Sequence, residues 1–222
     1  MSTIDPFIKG FEEYFNADVV AVKFEYDDTM KHDTESMSRF CEHVWGTMKD
    51  GRTRYLQEDS LQCIGTLWAF SYDISEEKLE FLADTLIKEG RFKNKSDALH
   101  VIRASPKLER VAPTYVTISK EDISADVYVA YMMPKDYMLM VQAYQRMIGS
   151  TFKEEVTGIV PICGSCAVQP TLKNDLVFSM GCKDSRMHGG LPDDMLAVGI
   201  SSKIASELIE IIRTYIKKEE AR

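Results

Sequence analysis

Short hydrophobic runs alternate with amphipathic segments along the chain, and this pattern is typical of a protein built from both strands and helices. Residues 18–25 (DVVAVKFE) are rich in β-branched side chains and predict a strand. The other predicted strands lie at 52–56, 114–118, 126–131, 151–160, 175–180 and 195–200.

Helices are predicted where apolar residues recur three and four positions apart. One begins after Thr34, carries Cys41 on its apolar face and ends at Gly51. The remaining predicted helices are a segment capped by Asp59 and Ser60 that carries Cys63, and segments from Ser75 to Gly90, from Ser96 to before Pro106, from Pro134 to Gly149 and from Ser201 to Ile216. The strands and helices together predict an α+β fold.

An internal repeat is indicated by the order of these elements. Strand, helix, glycine, strand and cysteine occur twice, with Cys63 and Cys163 in matching places. The interpretation is a duplicated half-domain, with halves at 17–105 and 114–217. Because no linker composition separates the halves, residues 1–222 are expected to form one compact domain.

Composition and charge restrict the class of protein. Of the 222 residues, 45% are hydrophobic and 28% are charged, enough to build a sizeable core. The net charge of -8 argues against nucleic acid and anionic membranes as partners. The first fifteen residues do not resemble a signal peptide, and no apolar run is long enough to cross a bilayer. A cytoplasmic location is therefore expected, where five cysteines are typical of free thiols or metal ligands.

The cysteines are the candidate chemical groups. Cys163 and Cys166 form a CxxC pair, which brings two sulfurs close enough to share a metal or form a redox disulfide, although two thiols buried under a loop would give the same sequence. Cys41 lies on an apolar helix face, which is typical of a buried thiol. Cys63 lies near a helix start beside Gly65, where a cofactor could approach.

A second candidate is the glycine-bounded segment 181–190. Its cysteine, Cys182, is flanked by Lys183 and Arg186, and nearby cations lower the pKa of a thiol. Gly181, Lys183 and Arg186 are also predicted to bind an anion through backbone N–H groups and the two cationic side chains. The alternative is a strand connection with surface cations. His188 is a candidate nitrogen ligand.

Several motifs are absent from the sequence. It contains no P-loop, no GxGxxG after a strand, no GxSxG and no HExxH. The common nucleotide, dinucleotide, hydrolase and zincin chemistries therefore have no support, and no catalytic residue is identified.

A family resemblance follows from short motifs in a fixed order. They are residues 19–24, Phe40-Cys41-Glu42, Cys63-Ile64-Gly65, Cys163 with Pro170, Gly181-Cys182 with Arg186, and 193–199. The chain resembles the domain-of-unknown-function family 169 over about residues 17–212, a family found mostly in archaea and anaerobic bacteria and without an assigned reaction. The resemblance implies that Cys41, Cys63, Cys163 and Cys182 occupy family cysteine positions and that Cys166 is an addition. Ser201 stands where the family usually has proline.

The leading hypothesis is a metal or iron–sulfur protein of anaerobic redox or sulfur metabolism. Four dispersed thiols would suit a [4Fe–4S] cluster, with zinc as the alternative. Cys63, Cys163 and Cys182 are expected to lie close together, with Cys41 or Cys166 completing the set. The competing hypotheses are a thiol enzyme that uses Cys182 on an anionic substrate and a non-catalytic module that binds a small anion or cofactor. The expected partner is a small molecule or a redox protein, and a homodimer is compatible with the sequence.

Overall fold

A computed structural model describes residues 3–27, 32–151, 153–154 and 156–220, with side chains as far as 214. Within these residues the chain forms one α+β domain around a six-stranded antiparallel sheet, which confirms the predicted fold class. The strand order is β2-β3-β1-β4-β6-β5. The strands are β1 (Asp18–Glu25), β2 (Arg54–Leu56), β3 (Tyr115–Ser119), β4 (Val127–Met132), β5 (Leu176–Ser179) and β6 (Leu196–Ser201).

Helices cover both faces of this sheet. They are α1 (Pro6–Tyr14), α2 (Phe40–Asp50), α3 (Ile64–Ala69), α4 (Glu76–Lys88), α5 (Lys95–Ala104), α6 (Pro134–Ile148), α7 (Gln169–Lys173), α8 (Lys183–Met187) and α9 (Ser202–Glu220). A 3₁₀ turn spans Glu58–Ser60 and a π-helix spans Pro161–Val168. No helix in the described part of the chain is both long and apolar enough to cross a membrane.

The central strand β1 explains why its sequence is almost continuously apolar. Side chains alternate between the two faces of a strand, and both faces of this sheet are covered. Val20, Val22 and Phe24 pack in the cluster formed with α2, α3 and the π-helix. Val19 and Ala21 pack in the cluster formed with α1, α6 and α9. The face covered by α2 and the π-helix carries the candidate site.

Helices α4 and α5 form a hairpin with an apolar cluster of its own. Leu79, Ala83 and Leu86 of α4 pack against Ala98 and Ile102 of α5. Ile159, Val160 and Trp68 join this cluster from the main body of the domain. The hairpin therefore rests on the segment that leads into the π-helix, and it supplies one wall of the pocket described below.

The predicted strand at 151–160 is wrong. Residues 151, 153, 154 and 156–160 are described, and none of them belongs to a strand. The chain instead enters the π-helix, whose backbone bonds include Ser165 N to Val160 O at 3.1 Å. Ile159 and Val160 pack in the cluster of the α4–α5 hairpin, whereas Val156 is exposed. Tertiary packing therefore overrides the local preference for a strand.

Several helix boundaries also differ from the predicted ones. Helix α2 begins at Phe40 and not after Thr34, because Glu42 accepts a hydrogen bond from Arg39 N at 2.8 Å and fixes the first turn there. Ser60 lies in the 3₁₀ turn, and the cap of α3 is Cys63. Helix α5 is capped by Asn94, whose side chain accepts from Asp97 N, and not by Ser96.

The proposed halves share one sheet. Strand β3, from the second predicted half, lies between β2 and β1 of the first half. Helices α2 and α6, the supposed counterparts, pack on opposite faces of the sheet. In the second half, the strand expected after α6 is absent among the described residues, and the chain enters the π-helix there.

Candidate functional site

Four of the five cysteines line one pocket between the main body of the domain and the α4–α5 hairpin. Its cavity volume is about 80 Å³. Cys41 comes from α2, Cys63 from the start of α3, Cys163 from the π-helix and Cys182 from the start of α8. The other lining residues are Arg39, Gly65, Thr66, Leu82, Leu86, Arg91, Ile102, Ile159, Val160, Pro161, Ile162, Asp184 and Ser185.

Cys41 is placed by the first turn of α2. Phe40 and Val44 bury their side chains in the core and set the rotation of this helix. Glu42 fixes the start of the helix through its hydrogen bonds from Arg39 N and the Ser38 hydroxyl. Cys41 is therefore held at the inner end of the pocket, with 9% of its surface exposed.

Cys63 and Cys182 occupy equivalent positions on two short helices. Each is the residue immediately before the first turn, of α3 and of α8 respectively, and each is partly exposed. Around Cys182 the turn is fixed by Ser185, whose hydroxyl accepts from Cys182 N at 2.7 Å and donates to Cys182 O at 2.9 Å. Each of these two thiols therefore stands at the N-terminus of a short helix.

Cys163 lies in the first turn of the π-helix, which begins from a strained residue. Val160 has φ 45° and ψ 44°, a left-handed conformation that is rare for a β-branched residue. A methyl group added to Gly65 would stand 2.5 Å from one Val160 methyl, and one added to Gly164 would stand 2.9 Å from the other. Backbone strain and π-helices both concentrate at functional sites. These features therefore support a functional role for this wall of the pocket.

Cys166 faces the sheet and does not line the pocket. It is fully buried, and its backbone lies so close to Gly199 of β6 that a side chain at that position would collide with the Cys166 carbonyl. The two cysteines of the CxxC motif therefore lie on different faces of the π-helix. Cys163 faces the pocket, and Cys166 packs against the sheet.

Burial sets the protonation of the inner thiols. Burial, followed by the neighbouring groups Cys163, Cys182 and Cys63, raises the pKa of Cys41. Burial and the adjacent Cys63 likewise raise the pKa of Cys163. Cys41 and Cys163 are therefore neutral thiols at neutral pH, mainly because they are buried.

An aromatic pair and two glycines pack together beside the helix that carries Cys41. Tyr131 is fully buried, donates a hydrogen bond to Gly189 O at 3.0 Å and stacks with Trp45 at 6.2 Å between ring centroids. Gly190 contacts the Trp45 ring so closely that a side chain there would overlap it. The loop after α8 therefore packs directly on α2.

The predicted anion-binding residues are engaged elsewhere. Arg186 donates to the carbonyls of Pro192 at 2.5 Å and Met180 at 2.6 Å, and it ties the two ends of its loop together. Lys183 is exposed, with its Nζ 3.7 Å from a carboxylate oxygen of Glu89. Neither side chain lines the thiol pocket. These contacts favour a structural role for Arg186.

Two arginines that the sequence did not single out do line the pocket. Arg39 precedes α2, and Arg91 follows α4. In the sequence Arg91 is one member of a short basic run with Lys93 and Lys95, a pattern that gives no sign of a pocket. Their roles depend on the docking of the hairpin, which no local motif encodes.

The thiols do not form a preassembled site for one metal ion. Among the residues described, no three His, Cys, Asp or Glu side chains stand close enough to share a single ion. His188, the predicted nitrogen ligand, is exposed at the end of α8 and does not line the pocket. What the fold provides is four convergent thiols around an open space.

Comparison with known proteins gives one match. The family model described as "Uncharacterised ArCR", the domain-of-unknown-function family 169, matches residues 14–211. Neither the curated proteins nor the solved structures include a match. The matched range contains all five cysteines and all six strands of the sheet. The chain therefore belongs to the domain-of-unknown-function family 169.

Proposed function

We propose that this protein binds a thiolate-ligated metal centre, a [4Fe–4S] cluster, in the pocket lined by Cys41, Cys63, Cys163 and Cys182, and that it acts in redox or sulfur chemistry. The observation that carries the proposal is the convergence of four thiols from four separate elements. An [4Fe–4S] cluster is held by four cysteine thiolates. Four thiols in one pocket match that ligand set in number and kind.

Two kinds of metal centre use four thiolates. Tetrahedral zinc requires its sulfurs within about 4 Å of one another, since Zn–S bonds are ~2.3 Å long. A [4Fe–4S] cluster binds one thiolate at each of its four iron atoms. Among the described residues no three side chains of ligand type are grouped closely enough to hold a single ion. The proposal of a cluster therefore rests on the number and kind of thiols that line the pocket.

The buried thiols would have to lose their protons when a metal binds. Cys41 and Cys163 are neutral in the metal-free protein, because burial raises the pKa of both. Metal ligation displaces thiol protons, so loading would release protons and would become less favourable at low pH. The apolar side chains of the α4–α5 hairpin would shield the bound group from water.

The thiol-enzyme alternative has weaker support. It was motivated by Lys183 and Arg186, the two cations that flank Cys182 in the sequence. Lys183 interacts with Glu89, and Arg186 donates to backbone carbonyls. Cys182 is partly exposed, so its reactivity towards alkylating reagents can test this alternative.

Spectroscopy of anaerobically purified protein tests the proposal. We expect a brown protein whose broad visible absorption bleaches on reduction and whose reduced form gives an electron paramagnetic resonance signal. Cys163→Ser should abolish the signal, and Cys166→Ala should retain it, because Cys166 lies outside the pocket. A colourless protein that takes up no iron on anaerobic reconstitution would contradict the proposal.

A further inference from the structure

Two arginines stand in the wall of the thiol pocket. The side chains of Arg39 and Arg91 are 26% and 23% exposed, so most of each side chain is enclosed. Both are lining residues of the same pocket as the four cysteines. A guanidinium group remains charged under all ordinary conditions. The pocket therefore carries two permanent cations beside its thiols.

The backbone of each arginine is fixed at the end of a helix. Arg39 O accepts hydrogen bonds from Glu42 N at 3.0 Å and His43 N at 3.1 Å, which anchors it at the start of α2. Arg91 N donates to Leu86 O at 2.9 Å in the bond that closes α4. The side chains thus depart from rigid points, which lowers the entropy lost when they bind a ligand.

A glutamate outside the pocket orients each arginine. Arg39 Nη1 lies 3.6 Å from Glu42 Oε2, and Arg91 Nε lies 2.9 Å from Glu89 Oε2. Glu42 is ionised at neutral pH. Burial alone would raise its pKa, but hydrogen bonds from Ser38 and from Arg39 N together with nearby cations lower it. Neither glutamate lines the pocket.

Most guanidinium N–H groups of the two arginines remain available. A guanidinium has five N–H donors, and each contact above involves a single nitrogen. Among the described residues no acceptor is recorded for the other donors. Each side chain is partly exposed, so solvent can reach these donors in the free protein. A carboxylate or phosphate accepts from several guanidinium N–H groups at once.

The remaining walls of the pocket determine the rest of the ligand. Leu82, Leu86 and Ile102 of the hairpin, with Ile159 and Pro161 of the main body, present an apolar surface. A pocket of this kind selects an apolar body and uses a few polar groups to fix its orientation.

Asp184 adds one carboxylate to the wall. It disfavours a ligand that is anionic over its whole surface. It suits a ligand that offers a hydroxyl or amine hydrogen beside its oxyanion.

We propose that the thiol pocket binds a small organic molecule with an apolar body, whose carboxylate or phosphate group is held by Arg39 and Arg91. This substrate class rests on the proposed function, because the ligand would lie against the cysteine centre. The anion site differs from the one predicted at Gly181, Lys183 and Arg186.

A matched pair of fluorescent probes tests the proposal. 8-Anilinonaphthalene-1-sulfonate and N-phenyl-1-naphthylamine share one aromatic body, and the first alone carries an anionic group. We expect Arg39→Gln/Arg91→Gln to weaken binding of the sulfonate at least about fivefold more than binding of the neutral probe, because the double variant removes charge-assisted hydrogen bonds. Competition by 1-naphthoate and 1-naphthyl phosphate then distinguishes a carboxylate ligand from a phosphate ligand.

Arg103→Gln is the matched control, since Arg103 is an exposed arginine of the same hairpin paired with Glu76. Circular dichroism confirms that each variant is folded. Equal losses for both probes in the double variant, or an equal effect of Arg103→Gln, would overturn the proposal. The titration is run on metal-free and metal-loaded protein. If the protein takes up no iron on reconstitution but still binds the sulfonate probe through the arginines, the cluster is refuted and the anion site stands.

Discussion

Gly189 and Cys41 pack so closely that a methyl group added to Gly189 would stand 2.6 Å from Cβ and 2.9 Å from Sγ of Cys41. Gly189 lies in the loop after α8, and Cys41 lies in the first turn of α2. The contact joins two elements that each carry a pocket cysteine. It is further fixed by the hydrogen bond from the Tyr131 hydroxyl to Gly189 O.

Gly189→Ala should therefore destabilise the protein and displace Cys41. Overpacking a well-packed core typically lowers the free energy of unfolding by about 1–3 kcal/mol. Gly158→Ala is the control, because a methyl group on Gly158 meets no atom within 4 Å. Chemical denaturation of both variants measures the difference. Equal free energies of unfolding would show that the loop yields and that the contact does not fix Cys41.

The sequence predicted the architecture better than the site. Strand β1 and helix α6 were predicted with the correct bounds, because their residue preferences agree with their burial. The π-helix was missed, since Pro161–Val168 has no distinctive spacing and its geometry follows from the strained turn at Val160. Arg39 and Arg91 were missed because they line the same pocket only when the α4–α5 hairpin packs against the rest of the domain. Cys63, Cys163 and Cys182, which the sequence predicted to lie close together, line the same pocket. Among the described residues no three side chains of ligand type are grouped closely enough to hold a single ion.

Arg186→Ala is expected to lower stability, in contrast to the small effect that an exposed anion-binding arginine would give. Its guanidinium donates to the carbonyls of Met180 and Pro192, and its removal leaves these acceptors without their partner. A loss of about 1–3 kcal/mol is expected. Lys183→Ala, at an exposed position, is the control and should change stability by no more than about 0.5 kcal/mol. Thermal denaturation compares them, and an unchanged melting temperature for Arg186→Ala would restore the anion-binding interpretation.

The stabilisation contributed by Glu154 and Asp175 should fall as pH rises from about 5 to about 8. Burial raises the pKa of Glu154 to about 7, although hydrogen bonds from the Tyr137 hydroxyl and Phe178 N lower it in part and Asp175 raises it. Burial raises the pKa of Asp175 to about 6, against the opposing effect of Lys173. Both groups bind protons more tightly in the folded state than in the unfolded state. Their stabilisation is complete below the ordinary values of 4.5 and 3.8 and is lost as pH passes the raised values.

Glu154→Gln provides the test of this dependence. Glutamine keeps an oxygen acceptor for Tyr137 and Phe178 N but cannot titrate. The variant should lose less stability than the wild type between pH 5 and 8, as measured by urea denaturation at each pH. Glu77→Gln, at an exposed position on α4, should follow the wild type. Parallel curves for wild type and Glu154→Gln would mean that Glu154 does not cause the effect.

Alkylation of the cysteines should follow their exposure once the metal is removed. Cys63 and Cys182 are partly exposed and should react first, whereas Cys41 and Cys163 are buried and should react slowly. Cys166, fully buried against the sheet, should react only on unfolding. In metal-loaded protein the four pocket cysteines should all be protected. Mass mapping after timed labelling measures this order, and rapid labelling of Cys182 in a protein that contains its metal would favour the thiol enzyme.

The central claim is that four pocket cysteines, and not the fifth, bind an iron–sulfur cluster. It is tested by the content of iron, zinc and acid-labile sulfide per chain after anaerobic reconstitution. The proteins compared are the wild type, the pocket variants Cys41→Ser, Cys63→Ser, Cys163→Ser and Cys182→Ser, and the control Cys166→Ala. We expect about four iron atoms and four sulfides per chain in the wild type and in Cys166→Ala, with a marked loss in each pocket variant. A wild-type protein without iron, or equal losses in Cys166→Ala and Cys163→Ser, would contradict it.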